Sequence, residues 1–253
     1  MKRKAPAKIN IFLKIVGTRG KYHEIASRFI RYEKLFDEIA FVPSKQEEFT
    51  IEGMNIPLQS NLIYKAYTKL KEFTQNGQLD AFFQSHKVVL NKNIPEGAGL
   101  GGGSSDAATF LLMTNEILSL KIDQKDLMHV GATVGADVPF FISKLPAANV
   151  TGIGEVIEPL EDEIPEIELF TPSVHCDTAA VYTHFRQNFL NTIQKEVAKK
   201  MLQKTSKEIV REYTPLQAND LYKSAVQICP VLQKYQEKYF LSGSGSSLFR
   251  EKQ

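Results

Sequence analysis

The stretch Pro95-Glu-Gly-Ala-Gly-Leu-Gly-Gly-Gly-Ser-Ser-Asp106 decides how the rest of the chain is interpreted. Five of the 15 glycines of the chain fall within it, and apolar residues at helical spacing follow its Ser-Ser-Asp. A helix N-terminus presents unpaired backbone N–H groups and a partial positive charge, and glycine lets an anion approach the backbone. The stretch therefore predicts a phosphate-binding loop that leads into a helix. A tight turn with a purely structural role is the alternative.

Two better-known kinds of phosphate loop fit this stretch poorly. A Walker A loop needs a lysine after its second motif glycine, and the stretch contains none. Gly97, Gly99 and Gly102 match the G-x-G-x-x-G pattern of dinucleotide-binding domains, with Asp123 at a suitable distance for a ribose ligand. Such a domain opens with alternating strands and helices, whereas a strand-rich segment with one predicted helix comes first here. A Rossmann-type NAD-dependent oxidoreductase therefore stays as the alternative.

The first strand is predicted by strict alternation near the N-terminus. Its odd positions are all apolar, at Ala7, Ile9, Ile11, Leu13 and Ile15. Polar side chains fall on even positions, and a period of two is typical of a strand with one face in the core and one in solvent. Alternate side chains share a face, so Lys8 and Asn10 are expected to point the same way.

Capping residues predict where helices begin and end in the first part of the chain. Asn61 is expected to cap one helix, and Asp123 another that ends near Val134. Gly135 then stops this second helix, which leaves Asp137 on a turn just before a proline.

The pattern changes after residue 151. A strand is expected at residues 166–171, helices near residues 177, 190 and 219, and two strands around the glycine-rich segment at 242–247. We predict an α+β fold with two lobes, residues 1–151 and 152–253.

Composition excludes several function classes. The chain has 253 residues, with 31 basic and 29 acidic side chains and a net charge of +2, so no global field gathers nucleic acid or an anionic membrane. No apolar run approaches the ~20 residues of a membrane span. The two cysteines are too few for a disulfide framework, and neither lies in a zinc-binding pattern. These features favour a soluble protein of the cytoplasm.

Three glycine-rich or strand-forming blocks resemble those of the GHMP kinases, a family of small-molecule kinases. The stretch at 95–108 is similar to the second motif of the family, Pro6-Ala-Lys-Ile-Asn-Ile-Phe-Leu13 to the first, and Leu241-Ser-Gly-Ser-Gly-Ser-Ser247 to the third. The resemblance implies a two-lobed fold with an N-terminal lobe like ribosomal protein S5 and a ferredoxin-like C-terminal lobe. The opening block resembles the branch whose acceptor is 4-diphosphocytidyl-2-C-methyl-D-erythritol.

The resemblance implies a reaction and a set of site residues. The reaction is ATP-dependent phosphorylation of the 2-hydroxyl of that acceptor, a step of the non-mevalonate isoprenoid pathway, with Mg²⁺ expected to accompany ATP. Asp137 is the implied general base and Lys8 its cationic partner. The implied ATP-binding residues are Asn61, Pro95, Glu96, Gly97, Ala98, Gly99, Leu100, Gly101, Gly102, Gly103, Ser104 and Ser105. The implied substrate-binding residues are Asn10, Tyr22, His23, Thr178 and Tyr182.

Several interpretations stay open from sequence alone. Lys8 can also be a solvated lysine on a strand face, and Asp137 an ordinary turn aspartate. Gly243–Gly245 can be a flexible cover or a hairpin turn. His175 lies near the expected substrate wall without an assigned role, and no residues are assigned as metal ligands. Besides the oxidoreductase, the alternatives are another GHMP kinase and, against the near-neutral charge, a nucleic-acid-binding protein.

Overall fold

A computed structural model describes residues 1–54, 56–75 and 77–252. The strands are β1 Lys2–Arg19, β2 Tyr22–Pro43, β3 Ile51–Glu52, β4 His86–Asn91, β5 Ala147–Thr151, β6 Val156–Pro159, β7 Ile167–Phe170, β8 Phe240–Leu241 and β9 Leu248–Glu251. The α-helices are α1 Leu62–Thr74, α2 Gln78–Ser85, α3 Gly102–Ile117, α4 Gln124–Val134, α5 Val138–Ser143, α6 Thr178–Asn188, α7 Lys195–Leu202, α8 Ser206–Glu212, α9 Pro215–Ala218 and α10 Tyr222–Ile228. Short 3₁₀ turns lie at Leu58–Ser60, Leu190–Thr192 and Pro230–Tyr235.

The chain forms two compact units that are discontinuous in sequence. Unit 1 contains Met1–Ala7, Tyr32–Ile94 and Gly101–Leu145, and unit 2 contains Lys8–Arg31, Pro95–Leu100 and Pro146–Gln253. Both units include part of β1 and part of β2, because these two strands are very long. The division into consecutive lobes at residues 151 and 152 stays a prediction.

In unit 1, helices cover a small group of strands. The second half of β2 pairs antiparallel with β4, and β3 pairs parallel with β4. The helices α1, α3, α4 and α5 pack against one another. Phe41, Phe83 and Phe110 meet edge-to-face or stacked with ring centroids 5.2–5.7 Å apart, which is a favourable arrangement for aromatic rings in a core. The strand before the glycine loop is thus antiparallel to its neighbour β2, unlike the parallel strands of a Rossmann unit.

In unit 2, two antiparallel groups of strands are present. The first half of β2 pairs with β5, which pairs with β6, while β7, β9 and β8 form a separate three-stranded sheet. Arg28 is fully buried on β2 and donates hydrogen bonds to Asn149 and Asp162 and to the carbonyls of Leu202 and Lys204. This set of acceptors satisfies a charge that would otherwise be costly to bury.

Neither face of the strand β1 is solvated along its middle, contrary to the expectation that one face lies in solvent. Its residues from Ala5 to Ile15 are buried on both faces, including Lys8, Asn10 and Lys14. The Lys14 ammonium is paired with Asp220 and also donates to the Gln217 carbonyl, so it does not need water. The alternation therefore predicted the strand correctly. The predicted solvent exposure of its second face was wrong, because the polar side chains there bond to groups of the protein and not to water.

Most predicted helix starts are confirmed. The side chains of Asn61, Asp123 and Asp177 cap α1, α4 and α6 through bonds to backbone N–H groups. The helix after the glycines begins at Gly102, two residues before the expected Ser104. Near residue 190 only a 3₁₀ turn forms, and the helix expected near residue 219 begins at Tyr222. The sequence patterns did not predict α2, α5, α7, α8 and α9.

Two further findings concern the expectations from composition. No helix in the described part of the chain is both long and apolar enough to cross a membrane. Cys176 and Cys229, which are 53 residues apart in the sequence, form a disulfide bond, and their Cα atoms lie 6.1 Å apart. The cysteine count alone did not predict this pairing.

Candidate active site

The first candidate cluster, in unit 2, is built around Lys8 on β1. Lys8 is only 4% exposed, and its ammonium donates a hydrogen bond to Oδ1 of Asn10, as expected for two side chains on one strand face. The Lys8 ammonium also lies 4.6 Å from the ring centroid of Phe29. The backbone N–H of Lys8 donates to the carbonyl of Leu100 at 2.9 Å, which ties β1 to the glycine loop. Lys8 is therefore a buried, fixed cation beside this loop and not a solvated strand residue.

The glycine loop and the segment 242–247 are packed backbone to backbone in unit 2. Ser242 Oγ donates to the Gly99 carbonyl at 3.0 Å, and the Ser247 N–H donates to the Ala98 carbonyl at 3.0 Å. A Cβ atom on Gly99 would lie 2.1 Å from the Ser242 carbonyl oxygen, so only glycine fits there. Gly99 also has a φ of 76°, which glycine adopts at little cost.

The same contacts decide between a cover and a hairpin for Gly243–Gly245. The segment joins β8 to β9, its serines are buried, and Ser242 N–H donates to the Ser247 carbonyl at 2.9 Å. Asn219 Nδ2 also donates to the carbonyls of Leu241 and Gly243. These bonds describe a fixed hairpin connection, so the cover interpretation is not supported.

His175 lies directly on the exposed start of the glycine loop. Pro95, Glu96 and Gly97 are exposed, whereas Ala98 and Leu100 are buried. A Cβ atom on Gly97 would lie 2.3 Å from Cε1 of His175, so the imidazole ring rests on this glycine. The sequence spacing gave no indication of this contact.

The residues predicted to bind cytidine form two contacts in unit 2. The rings of His23 and Tyr182 lie with centroids 5.1 Å apart, and Thr178 Oγ1 is 2.8 Å from Ser244 Oγ in the hairpin. Tyr22 is 52% exposed, with the Lys21 ammonium 5.4 Å from its ring centroid.

His23 carries a polar atom that the protein leaves unused. Its Nε2 is buried and has no hydrogen-bond partner among the described residues. Burial lowers the pKa of His23, and the charge of Arg186 lowers it further, so the ring is held neutral at physiological pH. Depending on the tautomer, Nε2 of a neutral imidazole either donates a hydrogen bond to a ligand or accepts one from it.

In unit 1, the glycine loop ends at the N-terminus of α3. Gly101 caps this helix in the left-handed conformation, with a φ of 70°. Ser104 and Ser105 lie in its first turn, and they do not cap it, because the helix begins earlier than their sequence position suggests. Ser105 Oγ is buried without a hydrogen-bond partner among the described residues. The first N–H groups of a helix have no acceptor within it, so those at the start of α3 and the Ser105 hydroxyl are suited to an anion.

Two other predicted residues lie near this helix start in unit 1. A Cβ atom on Gly135 would lie 3.7 Å from Ser104 Oγ, so the turn that holds Asp137 starts beside the first turn of α3. Asp137 is half-buried and occupies the N-cap position of α5. Asn61 Oδ1 accepts from the Ile63 N–H at 2.8 Å, which leaves the Nδ2 group of Asn61 for any other partner.

A buried charge cluster that sequence reasoning missed supports α3. Lys92 lies between Asp37 and Asp106, with N–O distances of 2.5 and 2.8 Å. Burial raises the pKa of Asp106 to about 7, while Lys92 opposes this shift. Burial lowers the pKa of Lys92, yet the two carboxylates outweigh burial and raise it overall. In the sequence, the only indication of this charge cluster is that Lys92 lies two residues before the apolar Ile94.

Relatives of known type match almost the whole chain. A 4-diphosphocytidyl-2-C-methyl-D-erythritol kinase of Sulfurimonas denitrificans is 46% identical over 256 residues, which cover 99% of this chain and 96% of the relative. The kinase of the same description from a Sulfurovum species is 44% identical and covers 98% of both chains. The chain belongs to the 4-diphosphocytidyl-2-C-methyl-D-erythritol kinase family.

Structure and family model agree with this assignment. A crystal structure of 4-(cytidine 5'-diphospho)-2C-methyl-D-erythritol kinase superposes with a TM-score of 0.74 at 29% identity, covering 99% of this chain and 90% of that chain. The model of the GHMP kinases N terminal domain matches residues 61–144. The predicted α+β fold of the GHMP kinases is confirmed, and membership in this kinase family disfavours the oxidoreductase and the nucleic-acid-binding protein.

Proposed function

We propose that this chain transfers the γ-phosphate of ATP to the 2-hydroxyl of 4-diphosphocytidyl-2-C-methyl-D-erythritol in the non-mevalonate isoprenoid pathway. The observation that carries the proposal is the buried ammonium of Lys8, fixed by Asn10 and tied through its backbone to Leu100 of the glycine loop. A phosphoryl group in transfer carries charge on its equatorial oxygens, and a preorganised cation stabilises that charge. The family membership supports the choice of acceptor.

The glycine loop and the start of α3 are proposed to bind the phosphates of ATP. Backbone N–H groups in the first turn of α3 have no partner within the helix and point toward an incoming anion. The positive φ of Gly101 makes the turn that exposes them. The segment Pro95–Leu100 and Nδ2 of Asn61 are proposed as further ATP contacts.

Asp137 is proposed to accept the proton of the acceptor hydroxyl. The hydroxyl oxygen then bonds to the γ-phosphorus, the bond between this phosphorus and the β-phosphate oxygen breaks, and ADP leaves. A turn at the beginning of a helix suits this role, because it presents the carboxylate at the end of an element and not inside a core. Lys8 is proposed to neutralise charge on the group in transfer.

The cytidine half of the acceptor is proposed to bind the aromatic residues of unit 2. Tyr22 and Tyr182 offer ring faces for a base, and Nε2 of His23 offers a buried polar atom for its edge. Thr178 lies one helical turn before Tyr182 on α6 and is proposed to contact the same ligand. Asn10 is proposed to bind a hydroxyl of the methylerythritol group.

Mg²⁺ is proposed to arrive with ATP, since the described residues contain no group of three or more His, Cys, Asp or Glu side chains that could hold a metal ion alone. Magnesium commonly uses phosphates, waters and only one or two protein oxygens. The orphan hydroxyl of Ser105 fits such a role and is the proposed protein ligand. When bound, the ion would neutralise charge on the phosphates.

The proposal is tested by measuring ATP consumption with four acceptors in parallel: the cytidyl substrate, mevalonate, homoserine and galactose. We expect turnover with the first acceptor only, and a new ³¹P signal from a phosphomonoester at its 2-position. Turnover with one of the other three acceptors, or phosphorylation at a different hydroxyl, would contradict it.

A further inference from the structure

A hydrogen-bond chain within unit 2 leads from the backbone of β1 to the Lys8 ammonium. Ser27 Oγ donates to the carbonyl of Phe12, Asn10 Nδ2 donates to Ser27 Oγ at 3.0 Å, and Lys8 Nζ donates to Asn10 Oδ1. Asn10 and Ser27 are 1% and 0% exposed, so water does not replace any of these partners. Lys8 and Asn10 belong to the motif of the first strand, whereas no pattern in the sequence indicated a role for Ser27.

The direction of every bond in this chain follows from its two ends. A carbonyl only accepts and an ammonium only donates, so the middle groups have one consistent arrangement. Ser27 uses its single hydrogen on the Phe12 carbonyl, and it therefore presents only a lone pair to Asn10. The amide of Asn10 must then face Ser27 with its NH₂ group and Lys8 with its oxygen.

We propose that Ser27 is a positioning residue that fixes the amide of Asn10 and, through it, the ammonium of Lys8. The consequence for phosphoryl transfer rests on the proposed function of Lys8. Without the Ser27 hydroxyl, one buried N–H of Asn10 loses its acceptor and the amide is free to turn its NH₂ group toward the ammonium. Two donors then face each other, and the Lys8 ammonium loses its hydrogen bond to Asn10 Oδ1.

Two further contacts surround this hydrogen-bond chain. Phe29 shares a face of β2 with Ser27, and its ring supports the ammonium from one side at 4.6 Å. The Asn10 backbone is fixed separately, since its N–H donates to Ser242 Oγ at 3.2 Å. Loss of the Ser27 hydroxyl should therefore free the Asn10 side chain while its backbone stays in place.

The kinetic test compares Ser27→Ala with Ser27→Thr, which keeps a hydroxyl. We expect Ser27→Ala to lower kcat roughly 10–100-fold with little change in the KM for ATP, and Ser27→Thr to recover most of this loss. In an Asn10→Ala background, Ser27→Ala should cause no further loss, since the amide it orients is gone. Ser224→Ala is the matched control, because Ser224 is also fully buried in unit 2 but bonds to His184.

A second measurement does not depend on the substrate. The side-chain amide signal of Asn10, assigned by its absence in Asn10→Ala, should exchange its hydrogens slowly in the wild type and in Ser27→Thr, and faster in Ser27→Ala. Equal exchange rates in the wild type and Ser27→Ala, wild-type kcat in Ser27→Ala, or losses that multiply in the double variant would each overturn the positioning role. A wild type with slow exchange but no turnover of the cytidyl substrate would instead overturn the proposed function.

Discussion

Asp137 starts α5 without capping it, because its side chain accepts no bond from the described N–H groups of that helix. Asparagine has nearly the same size and leaves this helix start unchanged, so replacing Asp137 with it should keep the fold and remove the proposed base. We expect Asp137→Asn to lower turnover roughly 10²–10⁴-fold, the usual effect of losing a general base. Asp123→Asn is the control: it changes the aspartate at the start of α4, where asparagine also caps well. Turnover close to that of the wild type in Asp137→Asn would exclude the base role.

Tyr182 lies with its ring against that of His23, and the two ring centroids are 5.1 Å apart. Removing the ring should cost about 1–3 kcal/mol in affinity for the cytidyl substrate, which is the usual value of one base-stacking contact. ATP affinity should stay nearly unchanged. Titration of the cytidyl substrate into Tyr182→Ala and into Tyr235→Ala tests this, because Tyr235 is a half-buried ring in the same unit that packs on Phe170. Equal losses in the two variants would remove Tyr182 from the substrate site.

At the scale of elements, Gly101 has to combine two tasks: it adopts a positive φ and exposes the first turn of α3. Gly101→Val should weaken ATP binding more than binding of the cytidyl substrate, because the added side chain is strained and blocks the approach of phosphate. Gly53→Val is the matched control, since Gly53 also has a positive φ and no room for a Cβ atom. Gly53→Val should lower the free energy of unfolding without a selective effect on ATP binding. Comparable losses of both ligands in Gly101→Val would mean that the loop serves folding alone.

Two carbonyls of the hairpin between β8 and β9 accept hydrogen bonds from the side-chain amide of Asn219, which lies 22 residues before Leu241. Asn219→Ala would leave the buried carbonyls of Leu241 and Gly243 without this donor. We expect a loss of about 1–3 kcal/mol in the free energy of unfolding, measured by urea denaturation. Asn188→Ala, which removes an exposed amide from the end of α6, should cost much less. An equally small loss at Asn219 would show that other bonds hold the hairpin.

At the scale of the whole molecule, Asp106 couples stability to pH. Its native pKa of about 7 exceeds the unfolded value of about 3.9, so between these values the native state binds more protons. The free energy of unfolding should therefore fall as the pH rises through this window. In Asp106→Asn this position no longer titrates. Between pH 5 and pH 8, the free energy of unfolding of this variant should therefore fall by on the order of 2 kcal/mol less than that of the wild type.

Urea denaturation at the two pH values, with the exposed Asp126→Asn as control, measures this difference. The control should follow the wild type at both pH values. The same pH dependence in Asp106→Asn and the wild type would mean that Lys92 keeps Asp106 charged throughout.

Local patterns in the sequence predicted the helix caps, the first strand and the glycine loop, because each depends on neighbours a few residues away. They failed where a partner lies far along the chain. Lys14 looked solvated because Asp220 lies 206 residues later, and Ser27 looked like any strand serine because its role needs Asn10. The predicted site residues came from resemblance to known motifs, and geometry then added Ser27, Lys92 and the contact of His175 with Gly97.

The discontinuity of unit 2 has a consequence for how the chain folds as it is synthesised. The buried middle of β1 leaves the ribosome long before Asp220, Asn219 and Ser242, which satisfy or contact it, and Asp220 follows Lys14 by 206 residues. Until these residues are synthesised, Lys14 lacks the carboxylate that pairs with it in the folded chain. We therefore expect unit 2 to complete its packing only after residues 219–242 have left the ribosome, because a contact between distant parts of the chain cannot form before both are present.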